Sequence, residues 1–168
     1  MDATQTHIKV YEITPEIAED FEFDYDTSSS DLLTELVPDL DNWGGIGWME
    51  LEEYEYNSRD QTLHLTVETK WATPTEWLRR ASAGPHYFQN RLMVMTTIQK
   101  DETCVTGVAV MDGELLQNKT IWHAELEEVR KHYSDTEINY SLDNLDNQIW
   151  DSIKKFTLVC EQFYLEGK

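Results

Sequence analysis

Hydrophobic and polar positions along the chain change period several times, and each change marks an element. Thr6 to Ile13 reads as a short strand. Thr14-Pro15-Glu16 offers a hydroxyl cap with proline at the first helical position, a helix start of a turn or two. From Phe21 to Asp26 the pattern alternates, with Phe21, Phe23 and Tyr25 against Glu22, Asp24 and Asp26, and predicts a strand. Asp31 to Val37 predicts a short helix stopped by Pro38.

From Gly47 the period is again two. Met49 and Leu51 share one face, and Trp48, Glu50, Glu52, Tyr54 and Tyr56 share the other. Asn57-Ser58-Arg59-Asp60 is turn material, so a hairpin is expected. Its return strand sets Leu63, Leu65, Val67 and Thr69 opposite Thr62, His64, Thr66, Glu68 and Lys70. Thr73-Pro74-Thr75-Glu76 has the spacing of a capping box, and its helix runs through Trp77, Leu78 and Ala81 to Gly84-Pro85. Three more strands follow: Arg91 to Lys100, Cys104 to Met111 and Leu115 to Trp122. Asp101-Glu102-Thr103 joins the first two, and Asp112-Gly113 turns the chain before the third. Ala124 to His132 and a longer stretch capped by Ser141 read as helices. The second carries a continuous stripe of Leu142, Leu145, Ile149, Ile153, Phe156, Val159, Cys160 and Phe163 that packs on the sheet or on a partner. The pattern gives an α+β protein built on an antiparallel sheet.

Charge changes this picture most. The chain has 168 residues, with 33 acidic against 13 basic and a net charge of −20. Residues 1–41 hold twelve acids against Lys9 alone, whereas residues 61–100 are net positive. Such a field opposes contact with nucleic-acid phosphates and anionic membranes, and it favours basic protein partners or high solubility. Cys104 and Cys160 sit in apolar runs and suggest core positions, not a disulfide framework. No signal peptide or bilayer-spanning run is visible, so a soluble protein of the cytoplasm is expected.

Four of the six tryptophans fall between Asn42 and Trp77. Asn42-Trp43-Gly44, Trp48, Glu68-Thr69-Lys70-Trp71, Pro74, Trp77-Leu78 and Gly107-Val108-Ala109 together resemble the Api92-like proteins of phages and prophages. The resemblance implies a ferredoxin-like β-β-α-β-β core over residues 42 to about 120. An acidic segment (1–41) would precede a core of 42–123, and a helical segment (124–168) would follow it. It further implies a phage-encoded protein acting in an infected bacterial cytoplasm, and it brings no activity with it. Gly45-Ile46-Gly47 stands where that family has a Thr-Lys pair, so no role for the lysine carries over.

Candidate chemistry is sparse. Asp39, Asp41 and Glu50 occupy positions 1, 3 and 12 of a calcium-loop pattern with Gly44 at position 6, but Trp43 stands where an oxygen ligand belongs. His7, His64, His86, His123 and His132 have no zinc-site spacing, and no nucleophile elbow, phosphate loop or dinucleotide fingerprint occurs. Arg79, Arg80, Arg91 and Lys100 near Trp77, Tyr87 and Phe88 form a small basic and aromatic set that the negative field opposes as a nucleic-acid site.

The leading expectation is a cofactor-free, non-enzymatic binding protein. It would inhibit a bacterial defence or nucleic-acid-handling factor by offering carboxylates where nucleic acid offers phosphates. Glu16, Glu19, Asp20, Glu22, Asp24 and Asp26, with Glu50, Glu52 and Glu53, are its contact residues, against a host protein with a basic surface. The alternatives are a small calcium-dependent enzyme or factor, and an assembly module docking through its C-terminal helix.

Overall fold

The computed structural model describes residues 3–27, 32–38, 40, 43, 48–70, 73–99 and 104–122. The helices expected over 124–168, the turn at 101–103 and the calcium-pattern residues Asp39 and Asp41 lie outside them. Elements follow in the order β1 (Ala3–Val10), α1 (Pro15–Thr27), α2 (Leu32–Leu36), β2 (Met49–Asn57), β3 (Thr62–Lys70), α3 (Thr75–Ala83), β4 (Met93–Gln99), β5 (Cys104–Met111) and β6 (Glu114–Trp122). The protein is α+β, with a six-stranded sheet in which every neighbouring pair is antiparallel.

The strand order is β2-β3-β1-β4-β5-β6. This order differs from the sheet implied over 42–120, because residues 3–10 occupy its centre. β1 runs against β3 from Ala3–Lys70 to Val10–Leu63 and against β4 from Gln5–Ile98 to Val10–Met93. Its own pattern suits that place. Thr6, Ile8 and Val10 are fully buried on one face, and His7 is buried on the other. The strand ends where Glu12 takes φ 58° and turns the chain. Tyr11 and Ile13 then donate backbone bonds to the Leu92 and Gln61 carbonyls.

α1 corrects the strand expected at Phe21–Asp26. Thr14 caps it, accepting the Ile17 amide at 3.4 Å, and the Ala18 amide bonds the Thr14 carbonyl at 3.0 Å. Once the helix has started, Ile17, Phe21 and Tyr25 recur at intervals of four. Phe21 is 1% exposed, and Phe23 faces out at 66%. The period-two appearance of Phe21, Phe23 and Tyr25 comes from one outward phenylalanine set among acids.

The three helices pack on one face of the sheet. Phe21, Leu33, Leu36, Trp77, Leu78 and Ala81 meet Ile8, Val10, Leu63, Leu65, Met93, Met95, Val108 and Val110 in one core. Trp77 is fully buried and its indole donates to the Leu33 carbonyl at 3.0 Å, which ties α3 to α2. The capping box does not form. Pro74 caps α3 without a side-chain bond, and Glu76 instead pairs with Arg79 and Arg80 at 3.0 and 3.1 Å. On the same sheet face the buried hydroxyls of Thr6 and Thr97 bond each other at 3.0 Å, so burying them leaves no orphaned oxygen.

Turn chemistry fixes two of the hairpins. Asn57 accepts the amides of Arg59 and Asp60, closing β2–β3. Asp112 and Gly113 take φ 56° and 82°, a two-residue turn with both central residues left-handed, and close β5–β6. A Cβ at Gly113 would lie 3.1 Å from the Ala83 Cβ. The Gly113 amide is held by the Ser82 hydroxyl at 2.9 Å and its carbonyl by Arg79 Nε at 2.9 Å, so this turn locks onto α3.

The helical reading of α1 sets an expected contrast. Phe21→Ala is expected to cost about 3–4 kcal/mol in a urea-denaturation experiment, and Phe23→Ala less than about 0.5 kcal/mol. Equal losses at the two positions would contradict the helix.

Candidate functional site

β2 is an edge strand of the sheet, and four glutamates lie on it. Its register shifts between Leu51, opposite Val67, and Glu53, opposite Thr66. Glu52 is therefore the extra residue of a β-bulge, which bends the strand and resets its alternation. Before the bulge Met49 and Leu51 face the helices; after it Tyr54 and Tyr56 do. This corrects the expectation that both tyrosines share a face with the glutamates. The Tyr56 hydroxyl donates to the Ile13 carbonyl at 2.7 Å, and Tyr54 receives the edges of Phe21 and Tyr25 at 5.2 and 4.8 Å between ring centres.

The bulge gathers carboxylates. Glu50 stands directly opposite Glu68 on β3, a pairing in which like charges oppose strand association. Glu52 is exposed, yet desolvation at the bulge raises its carboxyl above its ordinary value. Glu68, through charge and a side-chain hydrogen bond, and then Glu50 and Glu53 push the same way. Three of the expected contact residues thus come together with a fourth, Glu68. The alternation of β3 puts Glu68 on the face away from Leu65 and Val67, but only the register shows what it opposes.

The α1 acids divide. At 3.6 residues per turn Glu19, Glu22 and Asp26 form one stripe, and Glu16, Asp20 and Asp24 another. Burial raises the Tyr54 hydroxyl first, and the carboxylates of Glu22 and Asp26 raise it further, so that stripe borders β2. Glu16 begins the helix about 15 Å along the axis from Asp26. Asp24 and Asp26 fall in the last turn of a helix that has no basic residue there, where the macrodipole disfavours acids. Two groups of carboxylates therefore flank β2, each including positions where charge costs stability.

On the sheet face away from the helices, Gln5, His7, Glu53, Glu55, His64 and Thr66 surround a cavity of about 360 Å³. The His7 and His64 rings lie 5.5 Å apart. Burial, reinforced by His64, holds His7 down at about 4. Burial lowers His64 too, and Lys9 adds to that against Glu55 and Glu53, which oppose it. No group of three or more metal-ligating side chains occurs among the described residues. Glu50, a described member of the calcium pattern, stands opposite Glu68 across the strands.

The described members of the basic and aromatic set are engaged within the fold. Arg79 and Arg80 both pair with Glu76, Arg91 bonds the Glu12 and Gln89 carbonyls, and Trp77 and Phe88 are fully buried. Lys100 lies outside the described residues. Among the described residues no helix is long and apolar enough to cross a membrane. Comparisons with protein-family models, with curated proteins and with solved structures find no match to this chain.

Two titrations follow. The folded value of His7 lies below its unfolded value near 6.5, so its contribution is complete above pH 6.5 and is lost as pH falls toward about 4. That loss should be on the order of 3 kcal/mol in stability, and His7→Gln should flatten it in the window above pH 5 where most carboxylates stay ionised. Glu52 has the opposite sign. Its carboxyl is raised, so the folded state gains from protonation at low pH and loses that gain as pH rises. Glu52→Gln should accordingly raise the thermal midpoint at pH 7 and leave it unchanged at pH 4.

Proposed function

We propose that the protein is a non-enzymatic acidic binding protein that engages a basic surface of another protein, and that β2 with its flanking carboxylates is the contact. The observation that supports this most is the crowding of Glu50, Glu52 and Glu53 on an edge strand beside Glu68 of its neighbour β3. Charges kept only for solubility can be spread out at no cost. Here one glutamate faces another across the strands, and a third is pushed toward protonation. A partner that brings lysines or arginines to this edge would relieve that repulsion, so binding and charge relief come from the same residues.

The partner class suited to such a surface is a protein whose basic channel holds nucleic acid. A duplex carries one charge per roughly 1.7 Å of its axis, and carboxylates at similar density compete for the same cations. The resemblance to Api92-like proteins, with its ferredoxin-like core, would make this a phage product that disables a defence or nucleic-acid-handling factor of its bacterial host. Glu22 and Asp26 extend the contact on the helix side of β2, with Glu19 in line. Glu16, Asp20 and Asp24 form a separate stripe with a secondary part.

The test is affinity capture from bacterial lysate at low salt, followed by binding of the purified partner over a salt series. Affinity is expected to fall steeply with salt. The triple change Glu50→Gln, Glu52→Gln, Glu53→Gln should weaken it at least about tenfold, roughly 1.4 kcal/mol, and reduce the salt slope. Bound duplex should be displaced from the partner as this protein is added. Binding that ignores both salt and the triple change would refute the proposal.

A further inference from the structure

A trough of about 650 Å³ opens where β2 begins, beside the end of α1 and the start of α2. Leu32 and Met49, both buried, line it from the core side. Tyr25, Trp43, Trp48 and Glu50 are also among its lining residues. Tyr25 and Trp48 are among the exposed large hydrophobics, at 38% and 36%. Trp43 has φ 55°. A left-handed backbone is costly for so bulky a residue, and such strain concentrates at functional sites.

We infer that this trough receives an arginine side chain from the basic partner, its guanidinium lying against the aromatic faces of Trp43, Trp48 or Tyr25 and pairing with Glu50. The inference rests on the acidic-contact reading above and gives it an anchor point. Aromatic faces attract a cation through their quadrupoles, most strongly when partly desolvated, and tryptophan does so best. Guanidinium suits the site better than ammonium because it is planar, less strongly hydrated, and can stack while it bonds a carboxylate through two N–H groups. Among the described lining residues there is no lysine or arginine to fill the place from within the chain. The neighbouring carboxylates also make the surrounding field favour a cation: Glu22 and Asp26 reach Tyr54, on which the Tyr25 ring packs, while Glu52 and Glu53 interact with each other beyond Glu50. A buried aromatic and arginine contact of this kind is the usual energetic centre of an interface, and the glutamate crowd would then form its charged rim.

The experiment uses the full chain, ¹⁵N-labelled, titrated with acetyl-Gly-Arg-Gly-amide and separately with the same peptide carrying citrulline. The two side chains have nearly the same shape but differ in charge. The arginine peptide should shift the indole N–H signals of Trp43 and Trp48 saturably and leave that of buried Trp77 in place. Binding should be at least fivefold weaker for citrulline, and at least fivefold weaker after Trp48→Ala or Glu50→Gln. Because Glu50→Gln removes charge without removing volume, it keeps the test valid should Trp48→Ala disturb folding. No saturable shift, equal response to the two peptides, or indifference to both substitutions would overturn the inference. If salt-dependent binding of the partner persists while the arginine peptide fails, only the trough assignment falls. If the peptide binds and no basic partner does, the wider proposal falls and the trough stands.

Discussion

Backbone pairing along both sides of β1 is the constraint on which the rest of the molecule depends. The β2–β3 hairpin and the β4–β5–β6 meander each pair strands adjacent in sequence, and among the described residues only 3–10 join them in the strand ladder. β3 and β4 both run antiparallel to β1, so they point the same way, and α3 carries the chain across the strand between them. The helices then have one continuous floor to cover, made of Ile8 and Val10 together with Leu63, Leu65, Met93 and Met95. Remove the central strand and the core loses its middle row as well as its ladder.

The bulge at Glu52 does for the surface what β1 does for the core. One inserted residue lets Met49, Leu51, Tyr54 and Tyr56 all serve the helix side, although their spacing in sequence does not allow a regular strand to do so. In the same step it brings Glu50, Glu52 and Glu53 together beside Glu68. Packing and charge are thus coupled at a single position. The tyrosines that hold α1 in place and the carboxylates offered to a partner depend on the same irregularity in the strand.

Elements with unmistakable local grammar were legible in the sequence: the Asp112-Gly113 turn, the Asn57 turn, the period-two strand of Leu63 to Thr69, and the cap at Thr14. Two misreadings share a cause. Phe23 made α1 look like a strand, and Glu52 put Tyr54 and Tyr56 on the wrong face, because periodicity assumes that every residue obeys one repeat. A single outward aromatic or a single extra residue defeats it. The sheet order was not legible either, since pairing of residue 8 with residues 65 and 95 leaves no mark at short range. As for the candidate site, the sequence displayed its acids but not their opposition. It displayed its tryptophans without separating Trp77, sealed in the core, from Trp43 and Trp48 beside the trough.

A strand made early and placed in the middle also has a history during synthesis. Val10 leaves the ribosome well before β4, which ends at Gln99. At about 5–20 residues per second the wait is roughly 4–18 s. Through that interval β1 has neither neighbour along β4 nor, for most of it, along β3, and its two bare edges are open to any extended chain nearby. The hairpins that close locally can form at once, but the sheet can only zip shut late, around a strand that has been waiting. Thr4 and Thr6, strong β-formers of modest hydrophobicity on the face of Ile8 and Val10, and the polar His7 and Lys9 that alternate with them suit a segment that must remain soluble alone before it is paired on both sides.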